Sequence, residues 1–283
     1  MQMILKILRA AHCRSTHHYF ALDALKQLKT PPAQRLGLLL LKYHDEYLDG
    51  AKAPDTRFRD FHNHVIHIGE NNWGGAAQKC QEWRDTVLGY FNKAQWKKAA
   101  YACGVLSHYF TDPIMPLHTA QSPDESAVHR PVEWSVFKAY HSIYQLAQQR
   151  LTSAQFQFAN DEKWIHKASL AVAQISHQNY SPIIQNYDLA KAAREPDFGL
   201  NSQLQEIFAT QFALAIDGWA AVLSRLADEI TVELPSVSLG LPSVLALVDM
   251  PLAWLIRRFS DFSERRAVVA TVKEYQRTGS VAK

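Results

Sequence analysis

The chain has 283 residues, 47% hydrophobic and 20% charged, which is enough apolar material for a large core and argues against a disordered chain. Its formal charge of +3 falls short of the concentrated Lys/Arg expected of a dedicated nucleic-acid binder. Three widely spaced cysteines, Cys13, Cys80 and Cys103, indicate neither a disulfide framework nor a CxxC metal site and read as free buried thiols. In chain order, MQMILKILRAA is too short and too interrupted for a signal peptide, so a cytoplasmic or peripheral-membrane location is expected. HYFALDALKQL reads as a first amphipathic helix, and PPAQRLGLLLLKYHDEYL as a second with its prolines at the start, where a missing N–H does no harm. GGAAQKCQEWRDTVLGYF and QWKKAAYACGVLSHYF follow as two helices joined near Asn92 and Lys93. PVEWSVFKAYHSIYQLAQQRL, NDEKWIHKASLAVAQISHQ and NSQLQEIFATQFALAIDGWAAVLSRLADEI repeat apolar residues at three and four. No run alternates with period two, so an all-α, multi-helix domain is predicted.

The character changes near Ile230, giving an expected division into a helical domain, 1–229, and an apolar and basic extension, 230–283. Between Leu234 and Ile256 an apolar run approaches the length of a membrane span, but its prolines and Asp249 argue against a straight spanning helix. It reads as a bent arm packed on the domain, or as a segment lying in a membrane interface with Arg257 and Arg258 toward headgroups.

Thirteen histidines are unusual because they cluster: His12, His17 and His18; His62, His64 and His67; His108 and His118; His129. On a helix, residues four apart share a face, about 5–6 Å between Cβ atoms, so His108 with Asp112, and His129 with Glu133, can each ligate one ion. Pro113 and Pro116 turn the chain where His118 must leave the helix. Imidazole and carboxylate donors with so few thiols suit zinc and similar divalent ions. A lone His-x3-Asp pair is more often a surface pairing or a cap; two pairs with a histidine between them are harder to dismiss. The chain has no GxSxG and no Walker-type glycine loop.

The string YACGVLSHYFTDPIMPLHTAQSPDESAVHRPVEWSVF, with its H-x3-D-x5-H and H-x3-E pattern, resembles the signature of the zinc-dependent phospholipase C family, whose fold is shared by the single-strand-specific zinc nucleases. STHHYFALDAL resembles that family's first histidine helix, GAKAPD its aspartate loop, FHNHVIH its second histidine segment, and WIHKASLAVAQISHQNYSPII the helix after the ligands; together they run from about Ser15 to about Ile184. The resemblance implies two or three Zn2+ ions in a helical cleft. His64, His108 and Asp112 would hold one, His118, His129 and Glu133 a second, and Asp112 would bridge to a third held by His17. His17 matches better than His18, and His64 better than His62 or His67, by the residues that follow each.

In the secreted members an N-terminal tryptophan also holds the third zinc, whereas this chain has no tryptophan before Trp73. Either His12 or Cys13 substitutes, a cleavage frees a new N-terminus, or the third site is weak or absent. Asp55 matches the family's aspartate, implying a catalytic role in orienting or deprotonating the attacking water; the residues alone read equally well as a turn or capping aspartate after Pro54. Thr56 stands where the phosphatidylcholine-cleaving members have a tyrosine, which argues against choline selectivity. Phe58, Phe61 or Trp73 offers another cation–π face. The implied activity is phosphodiester hydrolysis of a phospholipid at a membrane surface. Single-stranded nucleic acid is a less favoured substrate, a metal-stabilised docking module is the third reading, and no protein partner is evident.

Overall fold

A computed structural model describes residues 2–151, 156–237 and 250–278, with the side chains of 262–275, 277 and 278 in the last stretch. The N-terminal run is itself a helix, α1 (Gln2–Ala11), which turns Ile4, Leu5 and Leu8 into the core. Ser15 then caps α2 (Thr16–Ala24), its Oγ accepting from His18 N. The expectation of an amphipathic α2 needs correction: every side chain from residue 18 to 24 is buried, so this helix runs through the interior with no polar face. Thr30 caps α3 (Pro31–Lys42), and a change of direction at Tyr43 starts α4 (His44–Ala53), where a single helix was expected.

The α4 helix does not end in a loop, as GAKAPD suggested. It widens into one turn, Pro54–Phe58, closed by Arg59 N donating to Pro54 O and terminated by Arg59 in the left-handed conformation, φ 52°. Such i→i+5 turns recur at functional sites, and this one carries Asp55. A connector with one isolated antiparallel bridge, His67 to Trp73, leads to α5 (Ala76–Phe91) and α6 (Trp96–Thr111). Two short 3-10 turns, Asp112–Ile114 and Pro116–His118, precede α7 (Pro123–Lys138) and α8 (Tyr140–Gln148). Then come α9 (Trp164–His177), α10 (Tyr180–Asn186), α11 (Leu189–Arg194) and α12 (Ser202–Glu229), with α13 (Met250–Thr278) last. No strand occurs among the described residues, so the all-α expectation holds.

The α12 helix is long and apolar enough to cross a membrane, yet 72% of its most apolar window is buried inside the protein; it is the core helix. Trp219 Nε1 donates to Tyr47 Oη at 2.7 Å, and Tyr47 Oη donates to Ala21 O at 3.0 Å, pinning α12 to α4 and α2 at fully buried positions.

Two glycines bring α4 against α6. A Cβ on Gly50 would lie 2.1 Å from Tyr101 O, and one on Gly104 would lie 2.0 Å from Tyr47 O. Only glycine permits this approach, and it lets His108 reach back across the interface to Ala51 O. Gly104→Ala is expected to destabilise by about 1–3 kcal/mol, read as a lower thermal midpoint; an unchanged midpoint would show that the helices are not so close.

The apolar run of the extension lies mostly outside the described residues, at 238–249. Farther on, α13 sits against α7: Val268 and Val272 are buried with Trp134, and Arg130 makes a two-pronged ion pair with Glu264, 3.0 Å on each prong.

Candidate metal centre

The α6 helix ends where the chemistry begins. His108 and Asp112 lie one turn apart, with Nε2 3.1 Å from Asp112 Oδ2. The connector after Arg59 is registered on the turn after α6, because Ile66 N donates to His118 O and Ile68 N to Thr119 O. That pairing carries His64 to the same point, its Nδ1 3.3 Å from His108 Nε2 and 2.6 Å from Asp112 Oδ2. Asp55, delivered by the wide turn after α4, sets Oδ1 3.4 Å from His108 Nε2 and 3.8 Å from His64 Nδ1. Asp55 therefore stands among the donors themselves, with Lys52 ion-paired to its other oxygen.

A second group forms between the Pro116–His118 turn and α7. His118 Nε2, His129 Nε2 and Glu133 Oε1 make a triangle with all three edges 3.2 Å. Asp112 stands between the groups. Its Oδ2 faces His64 and His108, while Oδ1 lies 3.1 Å from His17 Nε2 and 4.0 Å from His118 Nδ1.

The far nitrogens fix which lone pairs point inward. His108 Nδ1 donates to Ala51 O and His118 Nδ1 to His64 O. Both acceptors are carbonyls, so both Nε2 atoms present lone pairs. Thr111 Oγ1 donates to Ser107 O and therefore accepts from His17 Nδ1 at 3.1 Å. His129 Nδ1 donates to Glu125. His64 is reversed, with Nδ1 inward and Nε2 3.5 Å from Asp60, which accepts from Tyr109 Oη and Asn63 Nδ2.

These donors fit zinc. A tetrahedral ion bonded at about 2.0–2.1 Å sets its donors about 3.3 Å apart, which the second group matches on every edge and the first group matches less regularly. Facing ring nitrogens can share one proton per pair, whereas one cation satisfies them all. Asp112 Oδ2 is buried without a hydrogen bond although two imidazoles flank it, as expected of a carboxylate oxygen aimed at a metal. The field at the centre also favours positive charge. Burial opposes ionisation of His108, yet Asp112 and Asp55 outweigh it and push its imidazole up to about 10. His129, desolvated but beside Glu133 and Glu125, is likewise pushed up to about 10. Burial alone would raise Asp112, but His108, His118, His17 and His64 hold it well below the carboxylate range.

The neighbouring histidines are occupied elsewhere. His18 accepts from Arg14 N and donates to Leu48 O, and burial drives its imidazole down to about 3. His62 and His67 pack on Trp73, ring centroids 4.6 and 4.9 Å away. His17, on the inner face of α2, stacks on His108 at 3.9 Å. Beyond the shared Asp112 and His108, no other donor among the described residues joins its group. Cys13 is packed in the core and the His12 ring stands edge-on to His44, and neither belongs to a donor group among the described residues.

All these donors lie within residues 16–181, the span over which the chain matches the family model described as zinc dependent phospholipase C. The chain belongs to the zinc-dependent phospholipase C family. Membership accounts for the donor chemistry, since zinc is the ion these imidazoles and carboxylates suit. Among solved structures, the zinc-dependent phospholipase C fold of this chain is similar to alpha-toxin from an avian strain of Clostridium perfringens, with a TM-score of 0.58 and 14% identity. Alpha toxin from Clostridium absonum gives a TM-score of 0.57 at 14% identity. Each likeness covers 77% of this chain and 64% of the toxin chain, so this chain spans less than two thirds of the toxins' length. No curated protein matches the chain.

Asp60, Thr111, Tyr109 and Glu125 were missed by the sequence reading. Asp60 and His64 carry the same four-residue spacing as His108 and Asp112, which was a usable signal. Glu125 was hidden inside SPDE, which reads as an ordinary helix cap.

Proposed function

We propose that this protein is a phospholipase C-type hydrolase that uses water to cleave the phosphodiester of a phospholipid at a membrane surface. The carrying observation is the pair of neighbouring donor groups, with Asp112 in the first and shared with His17. His64, His108, Asp55 and Asp112 would hold one zinc, and His118, His129 and Glu133 another. His17 with the shared Asp112 offers too few donors for a third ion of equal affinity, so two tight ions are expected. Bound there, zinc polarises phosphoryl oxygens and supplies a water acidic enough to attack near neutral pH.

Asp55 is half-open to solvent at the edge of its group. Burial would raise its carboxyl, but His108 and Lys52 hold it well below the usual range, so Asp55 orients the attacking water rather than storing its proton. The water oxygen bonds to phosphorus, the bond to the diacylglycerol oxygen breaks, and that oxygen takes up the proton. A lipid surface is supported by the connector that carries His64, where Phe61 and Trp73 are 65% and 48% exposed, since such aromatics suit a bilayer interface. Thr56 donates to Lys52 O and offers no ring to a choline headgroup.

The test incubates the zinc-loaded protein with phosphatidylcholine and phosphatidylethanolamine vesicles and, in parallel, with single-stranded DNA. Diacylglycerol release, abolished by chelation, is expected with the DNA left intact. Cleavage of DNA alone would move the substrate to nucleic acid, and no hydrolysis of either would reject the enzymatic reading.

A further inference from the structure

We propose that Glu125 is a positioning residue for the second metal group, setting the tautomer, orientation and basicity of His129; this rests on the zinc reading above. The ordinary explanation of Glu125 is a capping box, in which the third helical residue reaches back to the N-cap backbone. The structure makes only half of that box. Ser122 Oγ accepts from Glu125 N at 3.1 Å and from Tyr180 Oη at 3.0 Å, which ties the first turn of α7 to α10. The Glu125 carboxylate is turned instead along the helix to His129 Nδ1, one turn on. Its side chain is 6% exposed, so this is a buried charge with a dedicated partner, not a surface pairing.

The second group needs such a partner more than the first does. His64, His108 and Asp112 have side chains 0–4% exposed and are fixed by packing, whereas His129 is 29% and Glu133 47% exposed. Pro131 lies between those two ligands within α7. It has no N–H to return to Ala127 O, so the helix is least braced where it must hold two donors in register. A carboxylate on Nδ1 commits that nitrogen to carrying the proton, turns the Nε2 lone pair toward His118 and Glu133, and strengthens imidazole as a ligand. His17, His108 and His118 give their outer N–H to uncharged oxygens; His129 gives its to a carboxylate.

Charge balance points the same way. The first group contains two carboxylates, Asp55 and Asp112. The second holds Glu133 alone, and Glu125, acting through His129, gives a dication there a second negative charge.

The test measures zinc affinity ion by ion, by chelator competition, for wild type, Glu125→Ala, Glu125→Gln and His129→Ala. Glu125→Ala is expected to weaken one of two tight ions by about 10–100-fold, the same ion that His129→Ala loses, and to leave the other ion unchanged. Glu125→Gln keeps an oxygen acceptor for Nδ1–H without the charge, so it should weaken that ion by less. A merely structural Glu125 would instead lower the thermal midpoint of the metal-free protein and weaken both ions alike, and that result overturns the proposal. Wild-type affinity for both ions in Glu125→Ala also overturns it, with the zinc reading intact. Failure of the wild-type protein to bind zinc would bring down both.

Discussion

Asp112→Asn is expected to lower the zinc content from two tight ions per chain to one or none, and to reduce lipid hydrolysis by at least about 10³-fold. The substitution keeps size and shape at a position 2% exposed, so helical content should not change. What changes is the donor set. Asp112 Oδ2 is the atom nearest both His64 and His108, while Oδ1 faces His17. An asparagine must present its NH2 to one of those sides, replacing an anionic donor with a group that cannot bind a cation. The attractions that favour positive charge on His108, His118 and His17 are lost together, because each depends partly on this carboxylate. Elemental analysis of the chelator-free protein beside the variant is the direct measurement. Equal zinc in the two would remove Asp112 from the centre, and the bridging arrangement with it.

Much of this centre was written in spacing. His129 and Glu133 are four apart within α7, His108 and Asp112 four apart across the end of α6, and the turns that hold Pro113 and Pro116 carry His118 back. The choices between adjacent histidines came from the family resemblance and not from helical spacing, because spacing alone does not say which ring finds a backbone partner. His18 is withdrawn by Leu48 O and Arg14 N, groups brought to it by α4 and by the segment between α1 and α2. His62 and His67 are withdrawn by Trp73, on the far side of a connector whose path periodicity cannot foresee. Asp55 was placed in a loop by the resemblance of GAKAPD to the family's aspartate loop. Proline is tolerated in a widened last turn, and that turn sets Asp55 among the donors. The break at Tyr43 was hidden because the apolar pattern continues across it while the chain changes direction. Glu125 was hidden for another reason: its spacing to Ser122 fits one role and its spacing to His129 another, and both are one helical turn.

The second large effect lies away from the metals. Asp23 has a fully buried side chain on α2, within two turns of His17. Its Oδ1 accepts from Arg9 at 2.8 Å and from Lys26 at 2.7 Å, and its Oδ2 accepts from Tyr140 Oη at 3.0 Å. The Arg9 guanidinium also lies 4.8 Å from the Tyr144 ring centroid and 5.5 Å from that of Tyr19, so α1, α2 and α8 meet on one carboxylate. Removing one partner of a buried pair leaves the other charge uncompensated, at a cost of about 3–5 kcal/mol. Lys26, 29% exposed, can turn to water; Arg9, 13% exposed, has less freedom to do so. Asp23→Ala should therefore lower the thermal midpoint by about 6–20 °C, at about 2–4 °C per kcal/mol for a chain of this size. Asp23→Asn, which still accepts from Tyr140, should fall between. If the loss comes from the stranded arginine, adding Arg9→Met to Asp23→Ala recovers part of it, because an apolar replacement of both partners is nearly neutral. A double variant no more stable than Asp23→Ala would place the loss in the Tyr140 hydrogen bond and the cavity.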